Sequence, residues 1–172
     1  NLPIYYFIEG MFFAMGADKN LRFNEDYETI LTYIKDTEPC IRSVISKKIK
    51  EDKLVDAYIL LKGYYNYSKD KDVMAKLLMV GETLREKDRA FKDILLEEIQ
   101  YSIDNNLKIK EAYLYKALIL KDDNDFKGAR HFINEYKNLG GEITDEIEIL
   151  IELQEAIKNK TIINYLSDTK EE

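Results

Sequence analysis

Ile4-Tyr-Tyr-Phe-Ile-Glu-Gly10, Ala57-Tyr-Ile-Leu-Leu-Lys-Gly63 and Glu111-Ala-Tyr-Leu-Tyr-Lys-Ala117 are three copies of one phrase. Each is a run of aromatic and branched residues closed by one charge and one very small residue. The small residues stand at 10, 63 and 117, so the period is 53 to 54. A repeat of this length points to an array of helical units, none of which can bury its apolar face alone.

The rest of the chain agrees with helices. Its 172 residues hold only 7 Gly and 2 Pro, few breakers for a fold rich in hairpins, while 34% charged and 45% hydrophobic residues make an ordinary globular balance. This length suits one core or a short three-repeat array. The longest apolar run, Met11 to Ala17, is shorter than the roughly 20 residues that span a bilayer. The single Cys40 excludes an internal disulfide and suggests a reducing, cytoplasmic setting. A net charge of -7 is wrong for binding nucleic acid, and the local cluster Lys47, Lys48, Lys50 and Lys53 reads as a solvated helix end. The opening Asn1-Leu2-Pro3 carries no signal-peptide pattern and suggests a processed product or a piece of a longer protein.

Each repeat reads as three helices. First helices are expected over 4–17, 54–67 and 109–121. Second helices carry the stripes Phe23, Tyr27, Ile30, Leu31, Ile34; then Val73, Leu77, Val80, Leu84; then Phe126, Ala129, Ile133, Tyr136. Third helices follow around Ile41, Val44, Ile45 and Ile49; Phe91, Ile94, Leu95 and Ile99; and Ile147, Leu150, Ile151 and Ile157. Pro39 suits a first helical turn, Gly140-Gly141 a helix end, and Thr144 a start. Residues 162–166 form a capping turn in this reading, and 167–172 a disordered, charged tail. The expectation is one domain over 1–168, with repeats at about 1–53, 54–107 and 108–161.

In the second and third repeats the small residues pair twelve apart, Gly63 with Ala75 and Ala117 with Ala129. This resembles the tetratricopeptide repeat (TPR), whose two helices pack closely through small residues at its eighth and twentieth positions. Tyr113 and Phe126 also fall where that repeat favours aromatics. The likeness covers about 54–84 and 110–137; it departs in its period, against about 34 for tandem TPRs, in the absence of Trp, and in Arg22, which stands twelve after Gly10. The resemblance implies an all-α, right-handed solenoid, a TPR-like superhelix of about nine antiparallel helices.

Catalytic and metal chemistry lack their parts. The lone His131 is preceded at the relevant offset by Gly128 rather than a carboxylate, so neither a di-iron bundle nor a zinc site is indicated. Cys40 has no signature linking it to His131, and Glu97-Glu98 are adjacent, so on a helix they diverge. No catalytic, cofactor or metal residue is assigned, and a small α-helical enzyme is the least favoured function.

Tyrosine stands out, with 13 copies against 7 Phe and no Trp, and it is enriched at recognition surfaces. In the TPR register the concave face takes Met11 from the first repeat, Leu60, Tyr64 and Tyr67 from the second, and Leu118 and Lys121 from the third. The expected function is a non-enzymatic scaffold or interaction module that receives a protein or peptide in this groove, with no nucleic acid, no membrane and no cofactor. The alternative is the peptide-sensing domain of a bacterial transcription regulator lacking its DNA-binding half, in which Asn66 and Asn134 hold the peptide backbone. Tyr58 and Tyr113 are expected to be structural.

Overall fold

The structure, a computed structural model, describes residues 3–170. Among these residues it is all-α, with nine α-helices, a single 3-10 turn and no strand. The helices are α1 (Ile4–Ala17), α2 (Asn24–Tyr33), α3 (Thr37–Lys50), α4 (Leu54–Ser68), α5 (Lys71–Lys87), α6 (Lys92–Asp104), α7 (Lys110–Asp122), α8 (Phe126–Asn138) and α9 (Asp145–Lys170). By their contacts the helices cluster into two compact units, one ending at Ile109 and the other starting at Lys110.

The connections follow capping chemistry. Asp70 accepts a hydrogen bond from the Asp72 amide at the start of α5, and Asp125 accepts one from the Gly128 amide at the start of α8. Gly140, at φ +85°, ends the turn after α8 in the left-handed region open to glycine. The capping turn and charged tail expected beyond residue 161 are instead a continuation of α9 as far as Lys170; residues 171–172 lie outside the described residues.

In the first unit α4 is central, packed by α1, α3 and α5, and α5 carries α6, whose Glu98 and Tyr101 also reach Lys62 and Tyr65 of α4. The expected α5 stripe of Val73, Leu77, Val80 and Leu84 is buried throughout. Leu95 and Ile99 of α6 are buried, whereas Ile94 is exposed. The stripe expected on α2 does not become core. Only Leu31 is buried, and Phe23 and Ile30 are half exposed, because α2 has little beside it except α1.

The glycines of the repeated phrase have different partners from those expected. Gly63 faces α1 rather than Ala75 of α5. A Cβ on Gly63 would overlap the Phe12 carbonyl, with its carbon at 2.8 Å and the Gly16 nitrogen at 3.0 Å. A Cβ on Gly16 would overlap the Ile59 carbonyl and stand 2.9 Å from the Gly63 nitrogen. Two glycines therefore let α1 and α4 cross backbone to backbone. Gly10, the phrase's own small residue in the first copy, faces open space.

The second unit is built on α7 and α8. Ala117, Phe126, Ile133 and Ile151 form its core, with Phe132, Ile143 and Ile147 packed against them. The α8 stripe of Phe126, Ala129, Ile133 and Tyr136 is buried as its period predicts. Beyond Ile151, α9 leaves Leu153 and Ile157 exposed; the side chain of residue 150 lies outside the described residues.

Candidate interaction groove

A concavity of the first unit, with a volume of about 690 Å³, runs along α4 between α3 and α5. Leu54, Leu61 and Tyr64 of α4 form its floor. Arg42, Ile45, Ser46 and Ile49 of α3 form one wall, and Val73, Lys76, Met79, Val80 and Thr83 of α5 the other. It exists because α3 and α5 each pack on α4 but not substantially on one another. Ile49 is 42% and Met79 51% exposed, so the walls offer apolar area to solvent.

Both ends of the groove are polar. At one, Lys87 Nζ stands 3.0 Å from Asp52 Oδ1. At the other, the Tyr64 hydroxyl accepts a hydrogen bond from Arg42 Nη1 at 3.1 Å and donates one to Glu38 Oε1 at 3.2 Å. Burial, reinforced by the Glu38 charge, raises the Tyr64 phenol above its ordinary value. Arg42, Lys76 and Lys87 face Asp52, Asp70 and Asp72 around the rim, a balance that favours neither a polyanion nor a polycation. The groove holds apolar surface between polar ends.

The residues expected to line a concave face are dispersed. Leu60 is fully buried in the core, so its side chain is not open to a partner. Tyr64 is 3% exposed, and it alone among the six lines the groove. Met11 and Tyr67 are half-buried, the Tyr67 ring meeting Phe12 edge-on with centroids 5.5 Å apart. Leu118 and Lys121 belong to the second unit, with Lys121 Nζ 3.7 Å from Asp122 Oδ1. Tyr58 is buried, its ring lying against Gly81. The register missed Ile49 and Met79. Met79 stands off the stripe that packs α5, whereas Ile49 was read as part of the α3 stripe with Ile41, Val44 and Ile45, and is 42% exposed instead.

A smaller hollow of about 330 Å³ lies among Met15, Lys62, Tyr65, Asn66, Glu98 and Tyr101. There Asn66 Nδ2 donates to Asn24 Oδ1 at 3.0 Å, and Lys62 pairs with Glu98 at 3.0 Å. Asn134 is exposed in the other unit. Cys40 is half-buried near the start of α3, and burial pushes its thiol up. His131 is exposed and rests edge-on against Phe132. Among the described residues no group of three or more His, Cys, Asp or Glu is placed to hold a metal ion, and no helix is long and apolar enough to cross a membrane.

The fold is an all-helical, repeat-like arrangement of packed neighbouring helices, compatible with a TPR-like array. No family model matches the chain, and neither a curated protein nor a solved structure matches it significantly.

Proposed function

We propose that the protein is a non-enzymatic, TPR-like interaction module that takes an amphipathic helical segment of another protein into the groove between α3 and α5. The observation that carries this reading is the exposed apolar wall of Ile49 and Met79 above a buried floor. A partner helix lays an apolar stripe into such a groove and keeps its charged side for the rim. The balanced rim charges suit a segment carrying both signs.

Ile49→Lys and Met79→Lys test it, since both side chains are largely exposed and their loss leaves the core intact. A panel of fluorescent amphipathic helical peptides, measured by polarisation, is expected to contain binders that each variant weakens about tenfold or more. The melting temperature should stay unchanged. Peptide binding that both variants leave intact would move the site elsewhere.

A further inference from the structure

The groove between α3 and α5 has a direction. Short turns at residues 51–53 and 69–70 join α3 to α4 and α4 to α5, so both neighbours run antiparallel to α4 and parallel to each other. Their N-termini lie at the Tyr64 end of the groove and their C-termini at the Asp52–Lys87 end. From Asp72 to Lys87 the α5 wall extends about 22 Å, or about four helical turns.

The charges are ordered along that wall. Asp70 and Asp72 come first, at the Tyr64 end, then Lys76, and last Lys87. Asp72, Lys76 and Met79 form one exposed ridge. The α3 side has the reverse order, Arg42 and then Asp52, but both are already engaged. Arg42 donates to the Tyr64 hydroxyl, which in turn binds Glu38, and Asp52 pairs with Lys87. Lys69 lies on the other side of α4, over the Tyr65 ring. Among the described residues neither Asp72 nor Lys76 enters an ion pair. The groove therefore presents a free acid and, one turn further along α5, a free base.

From this order, and resting on the groove as the binding surface proposed above, we infer the partner's charge pattern and direction. The partner is a helix of about four turns lying antiparallel to α3 and α5, with Asp or Glu four residues before Lys or Arg towards its C-terminus. In that orientation its base meets Asp72 and its acid meets Lys76. Acid before base at this spacing is also the order that stabilises the partner's own helix. Its C-terminus, the negative end of its dipole, comes to rest beside the positive N-termini of α3 and α5. The parallel orientation sets the same partner's acid near Asp72 and its base near Lys76, and brings like dipole ends together. Apolar residues of the partner at every third or fourth place reach Ile45, Ile49 and Met79 in either direction, so the charges decide which way it lies.

Fluorescence polarisation with two synthetic helical peptides tests the direction. Both share one composition and one apolar stripe; the first carries Glu four residues before Lys, and the second carries Lys four residues before Glu. The first should bind the native chain about fivefold more tightly, the scale of two exposed charge pairs gained against two like-charge contacts. The double variant Asp72→Lys with Lys76→Glu keeps the net charge and every core residue, and it should reverse the preference. Reversal separates recognition from any difference in the peptides' own helicity. In about 1 M salt the preference should vanish, since exposed charges are then screened within about 3 Å. Circular dichroism confirms that the double variant is folded.

If Met79→Lys weakens both peptides while the double variant leaves their ratio unchanged, the groove stands and the direction is overturned. If neither peptide binds, both readings fall. A peptide with the same charges but a scrambled stripe that binds equally well would make the contact a charge patch. A chain that dimerises in sedimentation, and that Met79→Lys returns to monomer, would give the groove to a second copy. Either result overturns the inferred partner.

Discussion

Gly10→Ala and Gly63→Ala place the same methyl group at equivalent points of a repeated phrase, and the structure predicts opposite signs. At Gly63 the new carbon would lie 2.8 Å from the Phe12 carbonyl carbon and 3.0 Å from the Gly16 nitrogen. Ordinary contact is near 3.5–4.0 Å, so α1 and α4 must part by about 1 Å. The obstacle is backbone on both helices, which no rotamer change relieves. Overpacking of this kind costs about 1–3 kcal/mol. A gap of this width also takes a quarter to a half of the dispersion contact from Ile8, Phe12 and Met15, which are buried against α4 or α3.

Against these costs stands a helix-propensity gain of about 1 kcal/mol for replacing an interior glycine. The net expectation for Gly63→Ala is a loss of about 3 kcal/mol, or roughly 12–24 °C in the melting temperature of a unit of this size. At Gly10 the methyl meets nothing, so only the gain remains, about 1 kcal/mol and a rise of about 4–8 °C. Urea unfolding followed by circular dichroism measures both. A Gly63→Ala variant within about 0.5 kcal/mol of the parent, or a destabilised Gly10→Ala variant, would refute the close-crossing argument.

Arg85→Met should cost about 3 kcal/mol, because Glu82 is 5% exposed and held by two guanidinium hydrogen bonds, at 2.9 and 2.5 Å; pairing it with Glu82→Gln should restore part of the urea midpoint. Tyr58, Tyr64 and Tyr65 all have phenols raised by burial. Their contribution to stability is fully present below the unfolded value near 10 and is lost as pH rises through the folded values. Absorbance at 295 nm should therefore show a late, cooperative phenolate step that coincides with loss of helical signal. Cys40 should react with a thiol-specific disulfide reagent at pH 8 several times more slowly than free cysteine, and mild urea should abolish the difference, since burial disfavours its thiolate.

Helical period was legible wherever two faces of a helix differ. Val73, Leu77, Val80 and Leu84 alternate with Lys71, Asp72, Lys76 and Glu86, so the buried side of α5 could be read without its neighbours. The same reasoning failed on α2, where Phe23 and Ile30 share a stripe with Leu31 but no helix covers them. Periodicity shows that a face is apolar and is silent on what meets it. The glycine contact was hidden for a related reason. Gly16 lies outside the repeated phrase, and its partner Gly63 is far away along the chain; pairing Gly63 with Ala75 followed a spacing, whereas the contact follows a crossing point. The groove escaped because Ile49 continues the α3 stripe of Ile41 and Ile45 and so reads as core, while Met79 lies off the α5 stripe and so reads as an isolated surface residue.

Two helices of the first unit are apolar almost all round, and only one of them is enclosed. In α4 the composition is matched by its surroundings. Neighbours α1, α3 and α5 enclose it, and Ala57, Tyr58, Leu60, Leu61, Gly63, Tyr64 and Tyr65 are all buried. Helix α1 has one charge in 14 residues, yet α3 and α4 cover one side of it and Ile8, Phe12, Met15 and Gly16 alone are buried. A helix without a polar face is stable where something encloses it. Single exposed apolar residues need no explanation, but Tyr6 and Phe13 stand exposed one turn to either side of Gly10, which itself faces open space. The groove over α4 differs in kind, with charged ends and a buried floor. Under the proposed function Met79→Lys should therefore weaken peptide binding, and Gly10→Phe, at a residue that does not line the groove, should leave it unchanged.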